Sequence, residues 1–439
     1  MSKISAKHIF IGIMMLAYIS GCASYQLDEA QHSLRSTFAA RDFDKTVKLL
    51  ENYENKGIYK DKDHVLFNLE MGMAQHFNSQ YDSSSSHLSE AEEQIEQLYT
   101  KSISRGLKSF LLTNDNTLEY NGEDYEDIYL NVFKSLNFIH RDNLEAALVE
   151  ARRIAFKLSQ LEMKYKGIAK ALSQSDTLKK TEWKAGEVNV QNSAFGHYLS
   201  GLLYAKSGKP DDARIEYDKM QQAFTEQPSI YRFQKPDSEA MERIKDPRSF
   251  NLLITGFAGR APIKRQNDVR TYLPQEDLYL KFSLPSLHLY PSRVNKVQAV
   301  INDTLKVPVY LMEEMDIVAK EVYKVKEPII YSRAFARSLV KAIGTNSISR
   351  AIEKENEDLG VLANIFGKIG QEITEKADLR SWQTMPGKAY ANVVKLEPGD
   401  HSVRMEYIDE QGRILYASEN RIHIPSAGAL ELVETLYWN

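Results

Sequence analysis

Ser338-Leu339-Val340-Lys341 sets a hydroxyl and an amine three residues apart, on one face of a helix, where the amine could take the proton of an attacking serine. That chemistry also asks for a strand of lysine-threonine-glycine type beside it, and no such run occurs in the 439 residues, so the pair reads as chance. The 10 histidines are scattered, no two stand at ligand spacing on one helix face, and the chain has 1 cysteine, so no metal site is expected. Gly208-Lys209 runs into Pro210 rather than a hydroxyl residue, which is not a phosphate loop, and a serine between two spaced glycines is absent. The reading is of a protein with no catalytic residue and no cofactor.

The sole thiol, Cys22, stands where its position carries meaning. Lys3 and Lys7 come first, then an apolar run from Ile9 to Ile19, then Ser20-Gly21-Cys22. A basic start, a short apolar run and small residues at the cut make a secretory signal, too short to span a bilayer as a finished helix. Ile19-Ser20-Gly21-Cys22 resembles the bacterial lipoprotein box. That resemblance implies cleavage before Cys22, acylation of its thiol and of the new amino group, and more acyl chain than stable anchoring requires. An aspartate just after the acylated cysteine favours inner-membrane retention in such proteins. Here the position is Ala23, so the expected address is the periplasmic face of the outer membrane.

Removing residues 1–21 leaves 418 residues, long for one hydrophobic core, so two domains are expected: 22–245 and 246–439. Lys+Arg 56 against Asp+Glu 60 gives net −4, and −6 once Lys3 and Lys7 leave with the signal, a balance that argues against nucleic acid as a partner. With the thiol taken by lipid, no disulfide can help, and the core must carry the fold in an oxidising compartment.

From Leu27 to about Arg243 apolar residues recur three and four apart, which predicts helix after helix. The stretch from Ala194 to Pro228 resembles a tetratricopeptide repeat: Gly201 lets two helices approach, Gly208-Lys209-Pro210-Asp211 makes the turn, and Ala213 and Tyr217 face back. Weaker copies fall around Gly72, Ser84 and Leu88, around Ser135, Ala147 and Ala151, and, most faintly, around Leu34, Thr46 and Leu50. Phe110–Thr113 and Thr117–Tyr120 read as a short hairpin, and Ser173–Gln191 as a polar loop or exposed helix end. Stacked helix pairs leave a groove, and the groove predicts a protein partner.

After Pro247 strands take over: Leu252–Gly259, Leu278–Leu284, Lys296–Ile301, a meander through Val393–Leu396, His401–Tyr407 and Arg413–Ala417, and a closing strand Leu430–Trp438. A helical insertion is expected at about 332–376. The fold class is therefore α+β: a tetratricopeptide-like solenoid followed by a β-rich, sandwich-like domain. Part of the insertion, Ser347–Gly370, has a mixed-sign face suited to core or partner packing rather than to lipid.

The lipoprotein box, Tyr120-Asn121-Gly122-Glu123-Asp124-Tyr125-Glu126, Phe195–Tyr204 and Ala377-Asp378-Leu379-Arg380-Ser381-Trp382 together resemble a family of bacterial outer-membrane lipoproteins with tetratricopeptide-like helices. The resemblance implies a layout and adds no site. The acidic-aromatic run could form a binding edge, but more simply its carboxylates precede a helix and favour its positive end. The expected function is a non-enzymatic periplasmic scaffold that binds a protein partner through the helical groove and the membrane through Cys22. The alternatives are an assembly factor or activator of a cell-wall synthase, and an enzyme on cell-wall glycan or peptide.

Overall fold

A computed structural model describes residues 27, 29–104, 118–173, 184–187, 189–273, 278–355 and 377–439. Cys22, the first strand of the expected 110–120 hairpin and the second half of the 347–370 segment lie outside the described residues. The protein is α+β, helical first and then stranded.

Helices α1 (residues 29–39), α2 (Phe43–Asn55), α3 (His64–Phe77), α4 (Tyr81–Ser104), α5 (Asp124–His140), α6 (Leu144–Ser173), α7 (Ala194–Lys206) and α8 (Pro210–Glu226) form four hairpins in chain order. Several start where the sequence caps them. Asp42 accepts from the Lys45 amide, Ser193 from the Gly196 amide, and Glu123 and Glu126 make a reciprocal capping box. Pro210 opens α8 at a position that needs no N–H.

The four hairpins share one register. Leu34, Gly72, Ser135 and Gly201 sit on the first helices; Arg41, Ser79, Asp142 and Gly208, seven residues later, take positive φ of 61, 59, 54 and 71° in the turns. Thr46, Ser84, Ala147 and Ala213 follow twelve residues after the first set, where the second helix crosses the first. Ser84 Oγ donates to the Gly72 carbonyl at 2.7 Å, and Ser135 Oγ to that of Ala147 at 2.9 Å. A Cβ on Gly201 would stand 3.0 Å from Ile244 Cδ1 and 3.6 Å from the Ala213 oxygen. Small residues are placed where the backbones meet.

A short helix, α9 (Ser238–Glu242), leads into the strands, nine among the described residues. They are β1 (Leu252–Ala258), β2 (Arg260–Leu273), β3 (Leu278–Tyr290), β4 (Lys296–Ile301), β5 (Leu305–Glu314), β6 (Lys388–Val394), β7 (Gly399–Ile408), β8 (Ile414–Ile424) and β9 (Glu431–Tyr437). Seven form one sheet, β8-β7-β4-β5-β6-β1-β9, antiparallel except for β1 against β9; β2 and β3 make a separate hairpin. Two facing sheets were expected, but this sheet curls on itself until its end strands meet. There Tyr416 stacks on Tyr437 at 5.5 Å, and Tyr407 Oη donates to the Thr435 carbonyl at 2.9 Å. Alternation along β1 shows why the curl has two cores. Leu252 and Ile254 point inward with Val297, Val309, Met405 and Val433, while Leu253 and Phe257 point out toward the helices. Gly256 also faces inward, and a Cβ there would stand 3.1 Å from Tyr407 Oη.

The outward core joins both halves of the chain. Phe257 of β1 meets one phenylalanine from each of three helix hairpins: Phe77 at 6.4 Å, Phe133 at 5.2 Å and Phe195 at 6.2 Å. Helices α3, α5 and α7 are consequently buried almost all round. The groove expected to hold a partner is thus covered, along these helices, by the chain's own sheet.

The helical insertion also begins earlier than the expected residue 332. One helix, α10 (Met315–Glu355), runs through Pro328, and α10 packs on the β2–β3 hairpin through Phe282, Leu284 and Ala334. Proline inside a helix leaves carbonyls one turn back without donors. Beside the carbonyl so freed, that of Lys324, the Gly186 amide donates to the Val325 oxygen at 2.9 Å.

Candidate functional site

The acidic-aromatic run at Tyr120–Glu126 and the run Ala377–Trp382 come together in space. Both border an open cavity of about 160 Å³ lined by the end of α4, the start of α5, α6, the β2–β3 hairpin and α10. Glu123, on the capping box of α5, is buried; Lys264 of β2 reaches its Oε1 at 2.7 Å, and Lys326 of α10 pairs with its Oε2. Asp124 accepts from Lys164 Nζ and from Tyr165 Oη, both at 2.6 Å. Burial alone would raise Asp124, but Lys164 and Lys326 hold it below the usual carboxylate range.

Glu126 turns the other way. Its oxygens accept from Tyr120 Oη at 2.7 Å, from the Glu123 amide at 3.0 Å and from the Trp382 amide at 2.7 Å. Glu70 of α3 repeats the motif, accepting from the Gln383 amide and Thr384 Oγ1, each at 2.6 Å. Burial pushes Glu126 up to about 7 and Glu70 to about 8 despite these donors. Arg380 completes the clasp: it donates to Asp63 Oδ1 at 3.0 Å and to Asp378 Oδ2 at 2.8 Å, and lies 5.1 Å from the Tyr120 ring centre. Burial would raise Asp378, yet Lys264 and Arg380 bring it down to about 2. The carboxylates, amines and amides here satisfy one another, so the arrangement acts as a joint that ties residues 377–385 to α3 and α5.

A second joint lies under Ser193. Glu313 of β5 is buried and accepts from Tyr129 Oη and Ser193 Oγ at 2.5 Å, from the Phe195 amide at 3.1 Å and from Tyr231 Oη at 3.3 Å. It sits at the positive end of α7, where an anion is favoured.

No protein-family model, no characterised protein and no solved structure matches this chain.

Ser338 lies buried on α10, while the Lys341 side chain is outside the described residues, as is Cys22. Among the described residues no group of histidine, cysteine, aspartate and glutamate could hold a metal, and no helix is long and apolar enough to cross a membrane. The run at Tyr120–Glu126 does open a helix with its carboxylates, and the capping box makes that role visible in sequence. Lys264 and Lys326 were not foreseen: they arrive from 141 residues away and beyond, and no local spacing links them to Glu123.

The outer helices of the hairpins carry the free surface. On α6, Val149, Phe156 and Met163 are 47, 63 and 67% exposed, in one row.

Proposed function

We propose that the protein is a non-enzymatic scaffold of the cell envelope, anchored through lipid on Cys22 at the periplasmic face of the outer membrane, which binds a protein partner. The shared register of the four helix hairpins carries this reading. Small residues twelve apart in three of the hairpins, and a left-handed turn residue in all four, fit the frame of a tetratricopeptide-like stack, a design that positions partners. The sheet fills the inner side of that stack, so the partner surface is taken to lie on the outer helices.

The test has two parts. Cys22→Ser should abolish palmitate incorporation and release the chain from outer membranes. Pull-down from intact envelopes with the wild-type chain should recover one partner in stable ratio. Full sedimentation of Cys22→Ser with outer membranes after a high-salt wash would remove the anchor. A wild-type chain that recovers no partner yet degrades isolated wall material would overturn the scaffold in favour of an enzyme.

A further inference from the structure

We infer that the outward face of α6 is a docking surface for an acidic amphipathic helix of the partner protein. The inference rests on the scaffold reading and names the partner's chemistry. Val149, Phe156 and Met163 are spaced by seven, two turns, so they form a row of about 21 Å along the helix. Phe156 and Met163 are the two most exposed large apolar side chains among the described residues. A flexible thioether and an aromatic ring at this spacing are what a facing helix would cover with its own apolar residues three and four apart.

Charge decides between a helix and a flatter occupant. Between and beyond the row, α6 exposes Arg152, Lys166 and Lys170, with Lys166 paired to Glu162, and one acid, Glu145, at the N-terminal end beside Val149. The outer helices of the two neighbouring hairpins are acidic: α4 exposes Glu90, Glu93 and Glu96, and α8 exposes Asp211, Asp212 and Asp218. Glu92 reaches from α4 to Lys157 of α6 at 2.7 Å, so the acidic face of α4 borders the row directly. A membrane is flat on this scale and would bring those acids against its headgroups along with the row. A single helix, about 10–12 Å across, meets the row alone, with basic residues along most of its length and Glu145 only at its start. Basic residues along that row select acidic flanks on the incoming helix and reject basic ones.

The experiment uses the full-length lipidated chain in intact envelopes, with the photoreactive amino acid benzoylphenylalanine in place of Phe156, of Met163 or, as a control, of Ile215 on α8. Crosslinked peptides are mapped by mass spectrometry. Both α6 positions should capture one and the same segment, carrying apolar residues at three-and-four spacing and acidic flanks; the Ile215 position should not. Lys166→Glu combined with Lys170→Glu should lower the crosslinking yield about tenfold while circular dichroism and melting temperature stay unchanged. Capture of a second copy of this chain, of lipid, of a segment without acidic flanks, or of nothing would overturn the inference. Membrane fractionation of the same cells reports separately on the Cys22 anchor, so loss of docking is not confused with loss of address.

Discussion

His76 Nε2 lies 2.9 Å from Glu434 Oε1 and joins α3 to β9 across 358 residues of chain. The other ring nitrogen, Nδ1, faces Asn137 Oδ1 at 2.6 Å. The Asn137 amide nitrogen donates to Ser84 Oγ, which itself donates to the Gly72 carbonyl, so the oxygen of Asn137 is the atom turned to the ring. Both nitrogens meet acceptors, and His76 is a buried imidazolium. His140 holds the second oxygen of Glu434 at 3.1 Å, under the ring of Tyr81.

The pH dependence follows from these contacts. Burial works against the His76 charge, but Glu434 and Asn137 outweigh it and leave its pKa above 6.5. Its contribution is whole below about pH 6.5 and is lost as pH rises through the folded value. Burial would raise Glu434, but His76 and His140 take it down to about 2, so its share is present above pH 4.5 and lost as pH falls toward 2. Glu70, pushed by burial up to about 8, also loses stability as pH rises from 4.5 through 8. Urea midpoints should therefore peak near pH 4.5 and decline toward pH 8. Glu70→Gln should flatten that decline. Glu434→Gln should cost roughly 3–5 kcal/mol at pH 6 by stranding a buried cation; a midpoint unmoved by this change would remove the ion pair as a coupling element.

Phe257 should be the costliest apolar truncation in the sheet. It touches Phe77, Phe133 and Phe195 on three helices, and Phe257→Ala should lose roughly 3–5 kcal/mol. Hydrogen exchange should show increased opening of α3, α5 and α7 together. Opening confined to α5 would mean the three hairpins do not share this contact energetically.

The turns offer a gain rather than a loss. Ser79 holds φ of 59° in the same position that Gly208 holds at 71°. Ser79→Gly should stabilise by up to about 1 kcal/mol, and Gly208→Ala should destabilise by a similar amount. Two melting curves of opposite sign would support the shared register of the hairpins; equal signs would count against it.

Gly186 should tolerate no side chain. A Cβ would sit 2.2 Å from the Lys324 oxygen and 3.1 Å from Val325 Cα, both backbone atoms of α10. Gly186→Ala should cost roughly 1–3 kcal/mol. If the cost reflects the kink, Pro328→Ala in the same chain should reduce it, because the N–H restored at position 328 draws the Lys324 carbonyl, the atom nearest a Gly186 Cβ, back into the helix ladder; strict additivity of the two changes would separate them.

Much of the helical half was legible because its signal is local. Gly72 with Ser84, Ser135 with Ala147 and Gly201 with Ala213 each close a contact within one hairpin, and even the faint match at Leu34 and Thr46 follows the same frame. Strands β1 and β9 were legible from apolar runs, and β4 from alternation. Strand β2 was not, since Lys264-Arg265-Gln266-Asn267-Asp268 is polar on both faces of a hairpin that stands apart from the main sheet. Strand β5 carries Pro308, and Pro328 interrupts the part of α10 that precedes the expected start at residue 332. The joints at Glu123, Glu313 and Glu434 were invisible for a common reason. Each pairs groups more than a hundred residues apart, and a buried carboxylate has no preferred spacing from its counter-ion in sequence.

The burial of α3, α5 and α7 on all sides has a consequence for the living chain. These helices are made early, but the strands that cover them, β1, β6 and β9, are made late, and Phe38 waits for Trp438, 5.4 Å away in the finished fold. A nascent or translocating chain must therefore carry three helices with bare apolar flanks until its last strand emerges. Contacts of such long sequence separation close slowly and leave the intermediate prone to aggregation. A chain stopped before residue 431 should need a holding chaperone throughout its life, whereas the complete chain needs one only until β9 docks.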